Sequence, residues 1–242
     1  MLNEQPCKII GPLNEQDSYE TAINENPSNA PTASPGGRNK RGVAIHSKFW
    51  ASHRTLKIAF LNPPSSTHRE AAIKAIKVWQ PSINLKLDFV NGTEGDIRIT
   101  MEPPLNYSAI GTDAMLRGPD ENTMNIGTDP EHPGFEATVL HEFGHALGMQ
   151  HEHQHPKADI PWNKPAVYDF YLSAYQWSKE EVDHNLFKLL EDKLTRTTVY
   201  DPTSIMHYPI SNELTTGDWS VQKNTILSQN DRRLMRKIYP KQ

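Results

Sequence analysis

Hydrophobic residues recur with the spacing of strands and helices from Gly42 onward. Short apolar or alternating runs predict strands, and these lie at residues 56–61, 85–90, 96–101 and 123–128. Apolar residues three or four positions apart predict helices, which begin near Thr67, Pro133, Ser178 and Ser228. Residues 107–115 and the proline-rich stretch after His151 show neither pattern and are predicted to be irregular. Strands and one helix in the first half, followed by loops and helices, indicate an α+β fold.

Three of the predicted helices begin with a capping box, in which Ser or Thr is followed three residues later by an acidic residue. The pairs are Thr67 with Glu70, Ser178 with Glu181, and Ser228 with Asp231. Because proline cannot continue a helix, Pro81 and Pro240 set the ends of the first and last of these helices.

The first 41 residues differ in composition from the rest of the chain. They are rich in Asn, Pro, Ser and Gly, which bury little apolar surface. We therefore expect residues 1–41 to be a flexible N-terminal extension and residues 42–242 to be the folded domain. Arg38, Lys40 and Arg41 close the extension. They are either a solvated basic tail or a processing site, and in the second case the extension is a pro-segment.

The composition argues against several classes of protein. A net charge of −4 gives no sign of a nucleic-acid or anionic-membrane partner, and no apolar run reaches the roughly 18 residues of a membrane span. The first residues lack the basic and apolar regions of a Sec-type signal. The location is thus unknown, and the protein could be cytosolic or exported by a specialised secretion system. Cys7 is the only cysteine, so no intrachain disulfide can form. The protein is expected to be a monomer.

The stretch HEFGHALGMQH carries the clearest chemical pattern in the chain. His141 and His145 are four positions apart, so on a helix both imidazoles can reach one metal ion. Glu142 lies between them and can reach a metal-bound water without being a ligand. Gly148 can end the helix in a left-handed conformation, and the returning chain would place His151 as a third ligand. Three protein ligands with one open position are the arrangement of a catalytic zinc.

The motif, followed by a methionine-containing turn, resembles the metzincin zinc peptidases and, among them, the astacins. The turn reads SIMHY and contains Met206 and Tyr208, Glu152 directly follows the third histidine, and the last helix opens LSQND. The resemblance covers about residues 42–239. It implies a two-lobed zincin fold, with a twisted mixed sheet and helices in the N-terminal lobe. The C-terminal lobe would be mostly irregular and end in a helix.

The resemblance also implies a function and a role for individual residues. The function is that of a zinc-dependent endopeptidase acting on peptides or proteins, with a substrate strand adding along residues 123–128. One catalytic Zn²⁺ would be bound by His141, His145 and His151, with Glu142 as general base and Tyr208 stabilising the oxyanion. Met206 would lie beneath the metal, and Gly148 and Glu152 would be the other supporting residues of the site. One alternative is a zinc-binding pseudoprotease that only binds peptides, although such a protein has no chemical need for Glu142. The other is a zinc-stabilised structural or interaction module, which would favour a closed four-ligand site.

Two expectations concern latency, because the chain lacks the disulfides of animal astacins and the aspartate motif of their prodomains. Cys7 is either a solvated thiol in a flexible tail or a thiolate that caps the zinc in a latent form. In the astacins a new N-terminus folds inward to meet the glutamate that is Glu152 here, so cleavage is expected near Gly42. The remaining nearby histidines are expected to lie at the surface or around the ligands rather than to bind the metal: His153, His155 and His207.

Overall fold

A computed structural model describes residues 6–31, 46–62, 65–190 and 199–241. The chain divides into two compact units, the first formed by Met1–Met149 with Arg232–Gln242 and the second by Gln150–Asp231. The first unit contains a sheet with helices, and the second consists of short helices and irregular chain. The predicted α+β class is confirmed.

Within the described residues, the sheet of the first unit is mixed and has six strands. They are β1 (Lys8–Ile10), β2 (Thr55–Phe60), β3 (Lys86–Phe89), β4 (Ile97–Thr100), β5 (Tyr107–Ala109) and β6 (Met124–Asn125). Their order is β1-β5-β6-β4-β2-β3. All neighbouring strands are parallel except β5 and β6, which are antiparallel. Each of the four predicted strands is present, although only two residues of 123–128 belong to β6.

Two predictions about the sheet are wrong. Residues 107–115, expected to be irregular, contain β5 and a 3-10 segment at Gly111–Leu116. The strand expected to be the substrate-binding edge, β6, lies inside the sheet between β5 and β4. Strand order is decided by non-local pairing, and a three-residue strand such as β5 is too short to show the alternation on which a sequence prediction depends.

The N-terminal extension is folded where the structure describes it, contrary to the expected flexibility. Residues 6–31 form β1, helix α1 (Glu15–Glu25) and a 3-10 turn at Pro27–Asn29. Asn14 caps α1 by accepting a hydrogen bond from the Gln16 amide. The segment buries the side chains Ser18, Ala22 and Asn29. The basic cluster at residues 38–41 and the expected cleavage point at Gly42 lie outside the described residues.

The other helices are α2 (Ser66–Lys77), α3 (Phe135–Ala146), α4 (Lys164–Tyr175), α5 (Lys179–Val182) and α6 (Gln229–Ile238). Ser65, rather than Thr67, caps α2 by accepting a bond from the His68 amide. Both bonds of the capping box at Ser178 are present. Helix α4 occupies the stretch predicted to be irregular. Its proline is in the first turn, where a missing N–H costs nothing, so the proline marked a helix start.

Large buried side chains hold helix α3 in place. The indole of Trp50 donates to the Ala146 carbonyl at 2.8 Å, and the Tyr239 hydroxyl donates to the Leu147 carbonyl at 2.8 Å. The Trp79 indole donates to the Leu140 carbonyl at 3.2 Å. The carbonyls at the end of a helix lack partners within the helix. The bonds to Ala146 and Leu147 therefore fix the C-terminal end of α3 next to His145, and the bond to Leu140 holds the middle of the helix next to His141.

None of the helices in the described parts of the chain is long and apolar enough to span a lipid bilayer.

Candidate metal centre

Three possible metal ligands meet in the first unit. His141 and His145 both project from α3, and their ring centroids are 4.9 Å apart in an edge-to-face arrangement. The Cys7 sulfur joins them, and the ligand atoms of the three side chains lie within 4.8 Å of one another. The four-residue spacing of His141 and His145 therefore brings the two imidazole rings together, as predicted. Cys7 is held beside α3 and is not a solvated thiol in a flexible tail.

The structure fixes which nitrogen of His145 can bind a metal. Its Nδ1 lies 2.8 Å from the carbonyl oxygen of Met149. A carbonyl only accepts, so Nδ1 carries the proton and Nε2 carries the lone pair. A metal-binding imidazole commonly has its other ring nitrogen held in this way, which orients the ring and fixes the tautomer.

Glu142 lies beside these ligands and is buried, with 1% of its surface exposed. Burial raises the pKa of its carboxyl to about 8, although the hydrogen bond from Cys7 acts in the opposite direction. The Cys7 thiol donates this bond to Oε2 over 3.2 Å. Burial and the neighbouring carboxylate raise the pKa of the thiol well above its usual value. The N-terminal segment thus contacts the residue predicted to be the general base.

Gly148 ends α3 in the way that the sequence predicts. Its φ is +99°, a backbone conformation that side chains disfavour. The Gly148 amide donates to the His145 carbonyl at 2.8 Å, and the Met149 amide donates to the Gly144 carbonyl at 3.0 Å. A Cβ atom at Gly148 would lie 2.5 Å from Cδ1 of Phe49. Glycine is therefore required both by the turn and by the space available.

His151 belongs to the second unit, where it is 3% exposed. Its ring stacks on His153 with the centroids 5.2 Å apart, and the Tyr208 ring lies 4.4 Å away. The structure thus brings the predicted third ligand and the predicted oxyanion residue together. His153, His155 and His207 are buried too, so of the two places expected for them, the surface or the surroundings of the ligands, the surface is excluded.

Glu152 and Met206 are joined through the main chain. The Glu152 amide donates to the Met206 carbonyl at 3.0 Å, and the Glu152 carboxylate accepts from the Asp201 amide at 2.8 Å. Burial raises the pKa of Glu152 to about 8, and the bond from Asp201 lowers it in part. The Asp201 amide is thus a partner of Glu152 in the uncut chain. Met206 itself is fully buried.

Asp231 holds the turn around Met206, a role that the sequence analysis did not predict. Its carboxylate accepts from the Ser204 hydroxyl at 2.6 Å and from the Ile205 amide at 2.9 Å. It also accepts from the Ser228 amide at 2.8 Å in the predicted capping box. The capping-box pattern revealed only this last bond, because the other two join residues 26 and 27 positions apart.

A second polar contact supports the backbone at Tyr208. His207 donates from Nδ1 to the Tyr208 carbonyl over 2.7 Å, since a carbonyl can only accept. The neutral ring then accepts at Nε2 from the Tyr200 hydroxyl, 2.8 Å away. Burial lowers the pKa of His207, which favours this neutral form. Tyr200 is a further residue that the sequence analysis did not single out.

The α+β fold and paired histidines on α3, with a glutamate between them, define a zincin-type metallopeptidase. Comparison with known proteins identifies the family. The model of the astacin peptidase family matches residues 43–238, and the chain belongs to this family. It is therefore a member of a family of zinc metalloendopeptidases.

Individual relatives agree with the family assignment. Zinc metalloproteinase nas-36 of Brugia malayi is 27% identical over 173 residues, which are 71% of this chain. The matched part spans only 26% of that relative, so this chain corresponds to about a quarter of its length.

Solved structures of myroilysin show the same fold. One is 37% identical with a TM-score of 0.77, covering 81% of this chain and 97% of that one. Another is 32% identical with a TM-score of 0.66, covering 99% of this chain and 93% of the myroilysin chain. The second likeness therefore takes in the N-terminal segment, which precedes the family match that begins at residue 43.

Proposed function

We propose that the protein is a zinc-dependent endopeptidase whose N-terminal segment keeps it latent. The observation that carries this proposal is the meeting of Cys7, His141 and His145 beside the buried carboxyl of Glu142. Imidazole nitrogens and a thiolate are the donors that zinc prefers in proteins. The tautomer of His145 also supports a metal ligand at Nε2. We expect His141, His145 and His151 to be the three histidine ligands that the family pattern implies.

A zinc ion held there would supply Lewis acidity, lowering the pKa of a bound water and polarising the substrate carbonyl. Glu142 would accept a proton from the attacking water and pass it to the leaving amine. Burial suits this role, because it raises the pKa of Glu142 toward neutrality. A carboxyl with a pKa near the working pH can both take and release a proton.

Tyr208 would donate a hydrogen bond to the oxyanion that forms on the substrate. It is 6% exposed, and its ring packs on His151 and His153 with centroid distances of 4.4 Å to each. A rigid aromatic side chain next to a ligand histidine is well placed for this donation. Its backbone is supported by His207.

Peptides or proteins are the proposed substrates, and they would add to the sheet at β5. In the uncut chain β1 pairs with β5 in parallel, with Lys8 opposite Tyr107 and Ile10 opposite Ala109. The same main-chain groups of β5 would bind an extended peptide once β1 has left. This replaces the expectation of substrate binding along residues 123–128.

The contacts of Cys7 suggest a cause of latency, namely the number of protein ligands that the zinc would have. Three protein ligands leave a zinc site open for water and substrate, whereas four close it. A Cys7 thiolate would be the fourth ligand, and β1 would at the same time cover β5. A capping role for the thiol is thus favoured over a solvated tail cysteine. A pseudoprotease is less well supported, because Glu142 is retained and lies at the site.

Glu142→Ala tests the catalytic proposal in the full-length Cys7→Ser chain, in which the proposed cap is removed. We expect Cys7→Ser to cleave a denatured protein substrate faster than the wild type. Adding Glu142→Ala should lower that rate by at least about 10²–10⁴-fold, the contribution of a general base, while zinc content measured by mass spectrometry stays the same. Glu136→Ala is the matched control, since Glu136 is an exposed glutamate of the same helix.

Each outcome bears on a different part of the proposal. Undiminished hydrolysis by the Glu142→Ala chain would contradict the mechanism. Equal rates for the wild type and Cys7→Ser would show that loss of the thiol alone does not restore activity while β1 still covers β5, and would leave the peptidase assignment standing. A chelator should abolish activity in both chains, and added zinc should restore it.

A further inference from the structure

Asn29 joins the N-terminal segment to the chain beyond residue 45. Its side chain donates to the Phe49 carbonyl at 2.8 Å and accepts from the Phe49 amide at 3.0 Å, as a neighbouring strand would. It also accepts from the Ser47 hydroxyl at 2.9 Å. Asn29 is 1% exposed. Without it, the main-chain groups of Phe49 would lose these partners, which is costly for buried groups.

The residues before Asn29 bind the same strip of backbone. Asn26 donates to the Trp50 carbonyl at 2.9 Å. Glu25 accepts from the Ala51 amide at 3.0 Å and forms an ion pair with Arg54 at 2.5 Å. The Arg54 side chain is 27% exposed, so solvent screens this pair only in part.

A third group of contacts lies nearer the N-terminal end of α1. Ser18 is fully buried and donates to the Asp113 carboxylate at 2.5 Å. Lys48 binds the other oxygen of that carboxylate at 2.5 Å. The Ser18 hydroxyl also lies 3.2 Å from Nε2 of His46. The buried carboxylate is thus satisfied jointly by the N-terminal segment and by the chain after residue 45.

These contacts form an anchor that is separate from the cap at Cys7. We define the anchor as residues 14–31 and its binding surface as residues 46–54 with Asp113. Six residues, 8–13, separate Cys7 from the anchor. Every partner named above lies on the C-terminal side of the expected cleavage point near Gly42. None of these contacts requires the peptide connection across residues 32–45.

We propose that the anchor stays bound to its surface after the chain is cut between residues 31 and 46, so that this cut alone does not release the N-terminal segment. A bound anchor holds Cys7 close to α3 on a short tether, and short tethers give effective concentrations of order millimolar. Activation would therefore need a second event that removes or digests the anchor. This regulatory consequence rests on the proposed function, whereas binding of the anchor does not.

The test uses the full-length chain with residues 38–41 replaced by the recognition sequence of a site-specific protease. After folding and cutting, the two pieces are followed by native size-exclusion chromatography and mass spectrometry. We expect them to elute together and to separate only in denaturant. Asn29→Ala should release the anchor at least tenfold faster, which corresponds to about 1.4 kcal/mol and lies within the cost of unpaired buried groups. Asn24→Ala is the matched control, because Asn24 is an exposed asparagine of the same segment.

A second measurement covers the case in which Asn29→Ala impairs folding. A labelled synthetic peptide of residues 6–31 is added in large excess to the cut wild-type chain, and its slow exchange for the bound segment is followed by fluorescence anisotropy. Saturable uptake, displaced by unlabelled peptide and absent for a scrambled sequence, is expected. Complete separation of the wild-type pieces on the column, or no uptake of the peptide by a cut chain that has lost its own N-terminal segment, would overturn the proposal. Neither readout involves peptide hydrolysis, so failure of the anchor and failure of the peptidase assignment are distinguishable.

Discussion

Replacing Asp231 tests how the turn that contains Met206 is held. The Asp231 carboxylate is 2% exposed and accepts three hydrogen bonds, from Ser204, Ile205 and Ser228. Asp231→Ala removes both acceptor oxygens and leaves the three donors in place. The effect should therefore exceed that of an ordinary surface substitution.

The magnitude follows from the burial of the donors. Ser204 and Ile205 are each 2% exposed, so water cannot easily replace the lost acceptor. Leaving a buried donor unsatisfied costs about 1–3 kcal/mol, which gives roughly 2–6 kcal/mol for these two groups. The Ser228 amide is only partly buried, and water can compensate for part of its loss. Asp231→Asn keeps the volume and one acceptor oxygen, so it should cost about 1–3 kcal/mol.

Urea unfolding followed by circular dichroism measures these free energies. Asp218→Ala is the matched control, since Asp218 is an exposed aspartate of the same unit, and it should stay within about 0.5 kcal/mol of the wild type. An Asp231→Ala chain within about 1 kcal/mol of the wild type would refute the reasoning, because a single buried donor would then cost less than the expected range.

Two further predictions concern the site. Tyr208→Phe in the Cys7→Ser chain should lower kcat by roughly ten- to a thousandfold with unchanged zinc content, because one donor to the oxyanion is lost; an unchanged kcat would assign Tyr208 to packing. Gly148→Ala should lower the free energy of unfolding by about 1–3 kcal/mol for the positive φ alone, plus the clash with Phe49 at 2.5 Å. Gly92→Ala is its control, with φ at +93° and no atom within 4 Å of the added Cβ; equal losses in the two variants would show that the clash is absent.

The sequence predicted those parts of the site that depend on local geometry. His141 and His145 share a face of α3 because their spacing is helical. Gly148 ends the helix because its positive φ suits no other residue well. Both statements need only a few consecutive residues. The strands β2, β3 and β4 were predictable for the same reason, since alternation is visible within one strand.

Strand order and long-range polar contacts were not predictable in this way. The place of β6 inside the sheet depends on its pairing with β4 and β5, which start 27 and 17 residues earlier in the chain. The bonds that Asp231 accepts from Ser204 and Ile205 depend likewise on two distant stretches of the chain meeting. A capping box explains an acidic residue near the start of α6, and nothing in the local pattern indicates that its carboxylate has two more partners.

The N-terminal segment shows why composition gave the wrong expectation. Few apolar side chains normally mean that a segment cannot offset the entropy lost on folding. Here the asparagines that lower its hydrophobicity supply the binding groups, because Asn26 and Asn29 meet main-chain groups of Phe49 and Trp50 that need partners. A polar side chain that satisfies a buried backbone group avoids a cost of about 1–3 kcal/mol. The segment is thus ordered because its side chains satisfy buried backbone groups of the surface that it covers. Cys7 is brought to α3 as a consequence.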